Sequence, residues 1–416
     1  MRILWVKVGG LWPLNTGGRL RSLNIVSELS RRHRVTVLTT HGPGDDPEGL
    51  ADALPECERV VSLPHRPPKR GSARFPLAVA RSWLSALPVD LWKTRVPALR
   101  DEVGRLIAAG EVDLCVADFL FAAPNVPLGA RVPVVLFAHN VEHLIWKRLC
   151  EAERRMWRRG LLGVEWRKVR RYEAGVCARA RLTLAVSEAD RVLLAAIAPG
   201  ARVSAIPTGV DTDYFAPAGV PETAGHVVFT GSMDWYPNED AVLYFIDAIL
   251  PSIRREAPDV VLTVAGRNPT ARLRAAAEGA GVRVTGTVED VRPYLARAAV
   301  CVVPLRVGGG TRLKIFEALA MGKAVVSTSV GAEGLPLIAG EHFLRADDPA
   351  DFAHAVVRLL RDRDLRRRLG LTGRRLVEAR YAWAQVTREF EARCEEVVDR
   401  HAQQRRQAAE SGAPVS

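Results

Sequence analysis

The sequence has few cysteines, no long apolar run and no leader-like beginning. Its six cysteines are scattered through 416 residues without a C-x-x-C pair, which excludes a disulfide framework and a zinc ribbon and is typical of reduced thiols. The chain starts with a strand-like run at 3–8, where a signal peptide would have an apolar core and a cleavage site. No apolar run approaches the roughly 20 residues of a membrane span. We therefore expect a cytoplasmic protein and leave open a peripheral attachment to the inner face of the membrane.

Acidic residues are under-represented relative to basic ones. The formal net charge is +12 and the sequence pI is about 9.8. This excess favours anionic partners, which include nucleic acid, an acidic membrane surface and phosphorylated small molecules. No nucleic-acid recognition motif and no basic patch interleaved with aromatic residues is present, so we expect no nucleic-acid partner.

Short apolar runs alternate with helical stretches along most of the chain, and this alternation predicts parallel sheets with βαβ connections. A stretch rich in proline and glycine at 207–221 divides the runs into two groups. We predict two doubly wound, Rossmann-like domains that face each other across a cleft. The predicted bounds are 1–206 for the first domain, 207–221 for the linker, 222–382 for the second domain and 383–400 for a helix returning to the first. Ligands of such sheets bind at the carboxyl ends of strands.

The segment 144–171 has a basic face and an apolar face when drawn as a helix. The apolar face shifts by about half a turn after Gly160 and Gly163, at 100° per residue, so we predict a kink there with an amphipathic helix on each side. Two interpretations of the basic face stay open. It is either a solvated surface or a surface attracted to anionic lipid.

A glycine-rich turn between a strand and a helix is the most informative segment. The strand ends at Pro304, three glycines follow, and a helix opens near Arg312. Glycines allow close approach of the backbone to a ligand, and a helix N-terminus favours anions. The segment predicts a phosphate cradle in which Glu317 accepts hydrogen bonds from sugar hydroxyls. Its predicted phosphate-binding residues are Gly309, Gly310, Thr311, Arg312 and Lys314. The segment is not a P-loop, and no G-x-G-x-x-G follows the first strand.

The run from Glu317 to Gly322 resembles the donor-site signature of the retaining family 4 (group 1) glycosyltransferases, which have the two-Rossmann GT-B architecture. The family pattern has a second glutamate eight positions earlier, where this chain has Gly309. In the family that glutamate helps to hold the donor sugar. Its replacement leaves the donor sugar open and admits a second hypothesis, a nucleotide-sugar-binding protein without transferase activity.

Other segments between about 1 and 395 are similar to the same family. Gly266 and Arg267 match a turn that contacts the donor, and Gly17 and Gly18 match a glycine pair that lines the cleft towards phosphate and acceptor. After Gly231 the family often carries an arginine and then a lysine for the diphosphate. This chain has the segment 232–238 there instead, and we expect Arg312 and Lys314 to supply the charge.

His139 ends a strand and precedes Asn140, at a position where the family often has a histidine beside the donor sugar. The resemblance implies that His139 is the catalytic residue and that Asn140 lines the acceptor side. The alternative is a hydrogen-bonded structural histidine. The same run, with Glu142 and His143, also fits the zinc-peptidase pattern H-x-x-E-H. That pattern needs both histidines on one helix, and a strand ending at His139 argues against it.

The resemblance implies a hexosyltransferase that retains the anomeric configuration and uses no metal or other cofactor. Its co-substrate would be a nucleoside-diphosphate sugar, and its acceptor a glycan or a lipid-linked molecule of the cell envelope or an exopolysaccharide. Closure of the two domains would exclude water and suppress hydrolysis of the donor. The segment 144–171 would be the contact with an anionic membrane surface.

Overall fold

The computed structural model describes residues 1–14, 16–68, 72, 75–129, 131–307 and 313–411. The chain forms two compact units. The first comprises residues 1–207 together with 386–416, and the second comprises residues 208–385. All six cysteine thiols are free, and four of them are buried. Among the described helices, none is both long enough and apolar enough to cross a membrane.

The first unit contains a parallel sheet of seven strands in the order β3-β2-β1-β4-β5-β6-β7. Its central strands are buried along their whole length, because helices cover both faces of a doubly wound sheet. The order reverses between β1 and β4, which is the usual ligand-binding point of such a sheet. The strands are β1 Arg2–Lys7, β2 Arg34–His41, β3 Arg59–Pro64, β4 Leu114–Asp118, β5 Val134–Ala138, β6 Leu182–Ala185 and β7 Val203–Ala205.

Eight helices and one short 3-10 turn connect these strands. The helices are α1 Gly17–Ser30, α2 Pro47–Ala53, α3 Phe75–Trp83, α4 Val89–Lys93, α5 Pro97–Ala108, α6 Glu142–Ala152, α7 Met156–Arg179 and α8 Glu188–Ile197, and the 3-10 turn is Leu120–Asn125. The last helix of the chain, α16 Trp383–Ser411, adds Phe390 to this core. The Phe390 ring lies 5.7 Å from Trp5 and 5.3 Å from Phe137, measured between ring centroids.

The second unit repeats the same topology. Its six parallel strands follow the order β10-β9-β8-β11-β12-β13, with the reversal between β8 and β11. The strands are β8 His226–Thr230, β9 Val261–Ala265, β10 Arg283–Gly286, β11 Val300–Val303, β12 Val325–Ser327 and β13 Leu344–Arg345. The helices are α9 Tyr236–Tyr244, α10 Leu250–Glu256, α11 Ala271–Gly279, α12 Arg292–Arg297, α13 Leu313–Ala320, α14 Pro349–Arg361 and α15 Arg363–Arg380, with a π-helical turn at Phe245–Ile249. Two Rossmann-like parallel sheets confirm the predicted fold class.

The predicted kink at Gly160–Gly163 is wrong. Helix α7 runs unbroken through both glycines, and the chain leaves the helical conformation at 153–155, between α6 and α7. A glycine costs a helix interior only about 1 kcal/mol relative to alanine, so two glycines do not by themselves end a helix that packs against a neighbour. Helix α7 has such a neighbour in α6, whose Cys150 thiol donates to the carbonyl oxygen of Arg159.

Candidate functional site

A buried ion pair lies at the reversal point of the first sheet. Strands β1 and β4 end side by side with Lys7 opposite Asp118. The Lys7 Nζ atom lies 2.9 Å from Asp118 Oδ2, and both side chains are almost inaccessible to solvent. Lys7 also donates to the Ser22 hydroxyl in α1, and the Trp5 indole N–H donates to Asp118 Oδ2. The pair therefore ties two neighbouring strands to the first helix.

His139, which follows β5, is bonded through both of its ring nitrogens. Its Nε2 lies 2.7 Å from Asp118 Oδ1, and its Nδ1 lies 3.1 Å from a guanidinium nitrogen of Arg21. A guanidinium can only donate, so Nδ1 is the acceptor and Nε2 carries the proton. Burial lowers the pKa of His139 to about 3, although the Asp118 carboxylate opposes this shift. The imidazole is therefore neutral across the physiological range and has no nitrogen left for a proton transfer.

Burial opposes the charged forms of the other three groups of this cluster. Burial opposes ionisation of Asp118, but the charge of Lys7 and the hydrogen bonds from His139 outweigh it and hold the pKa of Asp118 below its usual range. Burial lowers the pKa of Lys7 and lowers that of Arg21 to about 10. We name Lys7, Arg21, Asp118 and His139 the switch-point cluster.

Phe119 covers the switch-point cluster in a backbone conformation that is uncommon for a residue with a side chain. Its φ is +69°, and such strained residues are concentrated at functional sites. The ring stacks on His139 with 3.8 Å between centroids, and the Lys7 ammonium lies 4.1 Å from its centre. Gly18 packs under the same ring, since a β-carbon there would lie 2.6 Å from Phe119 Cζ. Gly17 is exposed and has open space around it.

Asn140 is exposed, and its side-chain amide donates to Glu142. The next residues begin α6, where the buried Glu173 accepts the backbone N–H groups of Glu142 and His143 and also binds the His143 ring at 2.7 Å. Burial raises the pKa of Glu142 to about 7. His139 and His143 are therefore on different elements with different carboxylate partners, which is not the geometry of an H-x-x-E-H zinc site. Within the described ranges, the one group of three metal-ligating side chains that lie close together is His33, Glu391 and Glu395.

In the second unit, a lysine lies at the carboxyl end of β8. The Lys314 Nζ atom, on the second residue of α13, donates to Asn238 Oδ1 at 2.6 Å and lies 4.1 Å from the centre of the Phe229 ring. Asn238 is buried and donates in turn to the Ser232 carbonyl. Lys314 itself is half-buried. The ammonium thus lies beside the segment 232–238, where the sequence lacks the expected basic residues.

Two glycines allow close contacts at this strand end. A β-carbon on Gly231 would lie 2.9 Å from Lys314 Nζ, and one on Gly266 would collide with the carbonyl oxygen of Gly231. Their φ angles are +154° and +159°. Arg267 is exposed and donates to the Ser232 hydroxyl at 2.7 Å. The predicted donor residues Gly231, Gly266, Arg267 and Lys314 are therefore neighbours at the ends of β8 and β9.

Glu317 lies three residues after Lys314 in α13 and is half-buried. Burial raises the pKa of Glu317 to about 7, although the charge of Lys314 opposes this shift. Its carboxyl therefore titrates near neutral pH. The predicted cradle residues Gly309, Gly310, Thr311 and Arg312 lie outside the described residues.

Sequence reasoning missed most of the switch-point cluster. Lys7 and Asp118 each end an otherwise apolar strand, and the rule that ligands bind at the carboxyl ends of strands would have marked both. Arg21 and Phe119 carried no such signal. Asn238 was noted only as part of a segment that lacks the family's basic residues.

Two family models match this chain. The model described as Glycosyltransferase Family 4 matches residues 17–214, and the model described as Glycosyl transferases group 1 matches residues 224–362. Together they include the switch-point cluster except Lys7, and all described donor residues.

Curated relatives match part of the chain. A phosphatidyl-myo-inositol mannosyltransferase of Mycobacterium leprae (strain TN) is 34% identical over 197 residues, which cover 45% of this chain and 52% of that protein. An uncharacterized 44.6 kDa protein in the cps region of Klebsiella pneumoniae is 26% identical over 140 residues, 32% of this chain and 36% of that protein. The chain thus spans about half and about a third of the lengths of these relatives.

Solved structures match nearly the whole fold. Sucrose-phosphate synthase from Thermosynechococcus elongatus has a TM-score of 0.64 at 17% identity, covering 99% of this chain and all of that one. Anabaena HepE in complex with UDP and glucose has a TM-score of 0.62 at 14% identity, covering 95% of this chain and all of that one. At these identities the likeness concerns the fold, which is GT-B.

Proposed function

The chain belongs to the family 4 (group 1) glycosyltransferases of GT-B architecture, and we propose that it transfers a hexose from a nucleoside-diphosphate sugar with retention of configuration. The observation that carries the proposal is the Lys314 ammonium, which donates to Asn238 and lies beside Gly231 at the carboxyl end of β8. A fixed cation at the end of a parallel strand suits a diphosphate. The segment containing it lies within the match to the group 1 model.

We assign the donor to the second unit. In this proposal Lys314 contacts the diphosphate, and the turn at Gly309, Gly310, Thr311 and Arg312 supplies backbone N–H groups and a second positive charge. Glu317 accepts hydrogen bonds from ribose hydroxyls, which requires the carboxylate form. Charge develops on the leaving phosphate as the glycosidic bond breaks, and a preorganised cation stabilises that charge.

The acceptor then attacks from the face that the nucleotide leaves, so the reaction needs no protein nucleophile and no metal. His139 keeps its proposed place on the reaction path, but its two bonded nitrogens favour a positioning role over proton transfer. Gly17, Gly18 and Asn140 remain the proposed acceptor side. The acceptor is a glycan or a lipid-linked molecule of the cell envelope or of an exopolysaccharide, in keeping with the mannosyltransferase relative. For a cytoplasmic enzyme, such an acceptor implies peripheral contact with an anionic membrane surface.

Calorimetric titration with UDP, GDP, ADP and dTDP, with and without EDTA, tests the donor site. We expect selective binding of one diphosphate, unaffected by EDTA, and UDP is the first candidate because it is bound in HepE. Failure of all four to bind would overturn the proposal. Loss of binding on addition of EDTA would contradict the proposal that the protein needs no metal.

Turnover decides between a transferase and the alternative, a protein that only binds the nucleotide sugar. The replacement of the family's first glutamate by Gly309 motivates that alternative. The assay combines the sugar nucleotide selected by calorimetry with membrane lipid extracts as acceptor, and NMR of the product gives its anomeric configuration. Inversion would contradict the retaining mechanism, and donor binding without transfer to any acceptor would favour the binding protein.

A further inference from the structure

Helix α7 carries an apolar stripe on its solvent side. Trp157, Leu161 and Val164 follow the spacing of four and three residues that puts side chains on one face of a helix. Their exposed fractions are 64%, 39% and 47%. The side of α7 that faces away from the stripe is buried, and it includes Val169, Glu173 and Cys177. The stripe is therefore not a core face, and a solvent-facing stripe of this kind marks an interaction surface.

The end of α3 extends the same surface. Lys168, the next position of the stripe, donates to the carbonyl oxygen of Ser82 at 2.8 Å. The Trp83 indole N–H donates to Glu165 at 3.1 Å, while 49% of Trp83 stays exposed. Leu84, which follows, is 91% exposed. We name Trp83, Leu84, Trp157, Leu161 and Val164 the apolar ridge.

Positive charge dominates the segment that contains most of the apolar ridge. The segment 144–171 contains ten lysines and arginines and three acidic residues. Each of the three acidic side chains already has an interaction within the protein. Glu165 is buried and accepts a backbone N–H, Glu151 lies 3.8 Å from Lys147, and Glu153 accepts a backbone N–H. In the part of the chain that the structure describes, no carboxylate forms an ion pair with Arg148, Arg154, Arg155, Arg158, Arg159, Arg167, Arg170 or Arg171.

We infer that the apolar ridge and its arginines dock on an anionic lipid bilayer, with the ridge in the acyl boundary and the arginines at the headgroups. Aromatic and aliphatic side chains on one side of a helix, with lysine and arginine beside them, are the composition of an interfacial helix. A second copy of this chain fits less well, because two such surfaces would bring like charges together. The inference deepens the membrane contact of the proposed function by naming its residues, and it rests on no catalytic step.

Sedimentation with extruded vesicles tests this surface on the full chain. The vesicles are phosphatidylcholine alone and phosphatidylcholine mixed with phosphatidylglycerol. We expect binding to the mixed vesicles that weakens as salt is raised, because surface charge attraction is screened. Trp157→Ser is expected to lower the partition coefficient about tenfold, since apolar burial drives insertion. Arg158→Gln is expected to lower it about fivefold, and only for the anionic vesicles.

Two exposed residues of α15 in the second unit provide matched controls. Leu371→Ser and Arg363→Gln remove the same kinds of side chain from another surface and should leave vesicle binding unchanged. UDP titration of every variant separates this inference from the proposed function, because the ridge variants should bind UDP like the parent protein. Leu161→Ser is a second ridge variant, with the same expected result as Trp157→Ser. Thermal unfolding shows whether each variant is folded.

Three results would overturn the inference. These are absence of binding to the mixed vesicles, unchanged binding by Trp157→Ser and Leu161→Ser, and self-association in light scattering that both variants abolish. The last result would assign the ridge to a second copy of the chain. If vesicle binding fails while UDP still binds, the docking surface is wrong and the transferase proposal stands.

Discussion

The two sheets share one topology, but the charged side chains at their carboxyl ends differ in burial and in bonding. In the first unit, Lys7, Asp118 and His139 are buried and bonded to one another. In the second, Lys314 and Glu317 are half-buried, and the lysine donates to the amide oxygen of Asn238. A buried pair of opposite charges has its interactions satisfied internally. The second arrangement leaves its charged groups partly accessible to solvent, which the proposed donor site requires.

The difference has a local cause in each sheet. In the first sheet, the Phe119 ring stacks on His139 and lies next to the Lys7 ammonium. In the second sheet, Gly231 leaves the space that the Lys314 ammonium occupies, and Gly266 allows the close approach of the Gly231 carbonyl. A buried cluster thus lies at the carboxyl end of the first sheet, and half-buried side chains of the proposed donor site lie at that of the second.

The largest expected effect is on the first cluster. Asp118→Ala should lower the free energy of unfolding of the first unit by about 3–5 kcal/mol, because it leaves the Lys7 charge buried without a partner. Denaturant unfolding measures this. Asp113→Ala, which breaks a partly exposed pair with Arg2, is the control and should cost about 1 kcal/mol or less. Equal losses in the two variants would contradict the internally satisfied cluster.

The next largest effect is expected from removal of the Lys314 ammonium in the second unit. Lys314→Ala should weaken binding of the nucleoside diphosphate by about 1.5–3 kcal/mol, or roughly ten- to a hundredfold, which is typical of a hydrogen bond to a charged group. Calorimetry measures it. Arg363→Ala removes an exposed charge of the same unit and should leave the affinity unchanged. An unchanged affinity in Lys314→Ala would remove the contrast between the two sheet ends.

The pH dependence of stability tests His139. In the folded state the pKa of His139 is about 3, which lies below its usual 6.5. The folded protein therefore protonates His139 at a lower pH than the unfolded chain does. The stabilisation is complete above pH 6.5 and is lost as the pH falls towards 3, by about 2 kcal/mol at pH 5. His139→Gln should flatten this part of the unfolding profile. His354→Gln, at an exposed histidine, should not, and identical profiles for all three proteins would contradict the buried neutral imidazole.

The smallest effect concerns Glu317. With a pKa of about 7, its carboxylate fraction rises about tenfold between pH 6 and pH 8. If the carboxylate accepts ribose hydroxyls, affinity for the sugar nucleotide should rise over that range by up to about tenfold. Calorimetry at the two pH values measures the change. Glu317→Gln should bind more weakly and show a flat profile, whereas a retained pH dependence would assign the titration to another group.

Several parts of the site were predictable because they are local. The strand ends at His139 and Gly231, the turn at Gly266 and the helix with Lys314 and Glu317 are all visible as short patterns in the sequence. The partners of these residues were not. Arg21 contacts His139 across 118 positions, and Asn238 contacts Lys314 across 76. No spacing rule reaches that far, and the helix break at 153–155 likewise depended on the packing of α6 against α7.

The sequence by itself determined the two parallel sheets, their doubly wound connections and the family, because buried strands must be apolar along their length and glycine turns are local. Only the tertiary structure decided which charges are buried together and which face of α7 meets solvent. The reason is physical, since burial depends on which distant segments cover a residue. Lys7 at the end of β1 and Lys314 in α13 thus have different surroundings, since the first is buried beside a carboxylate and the second is half-buried beside an amide.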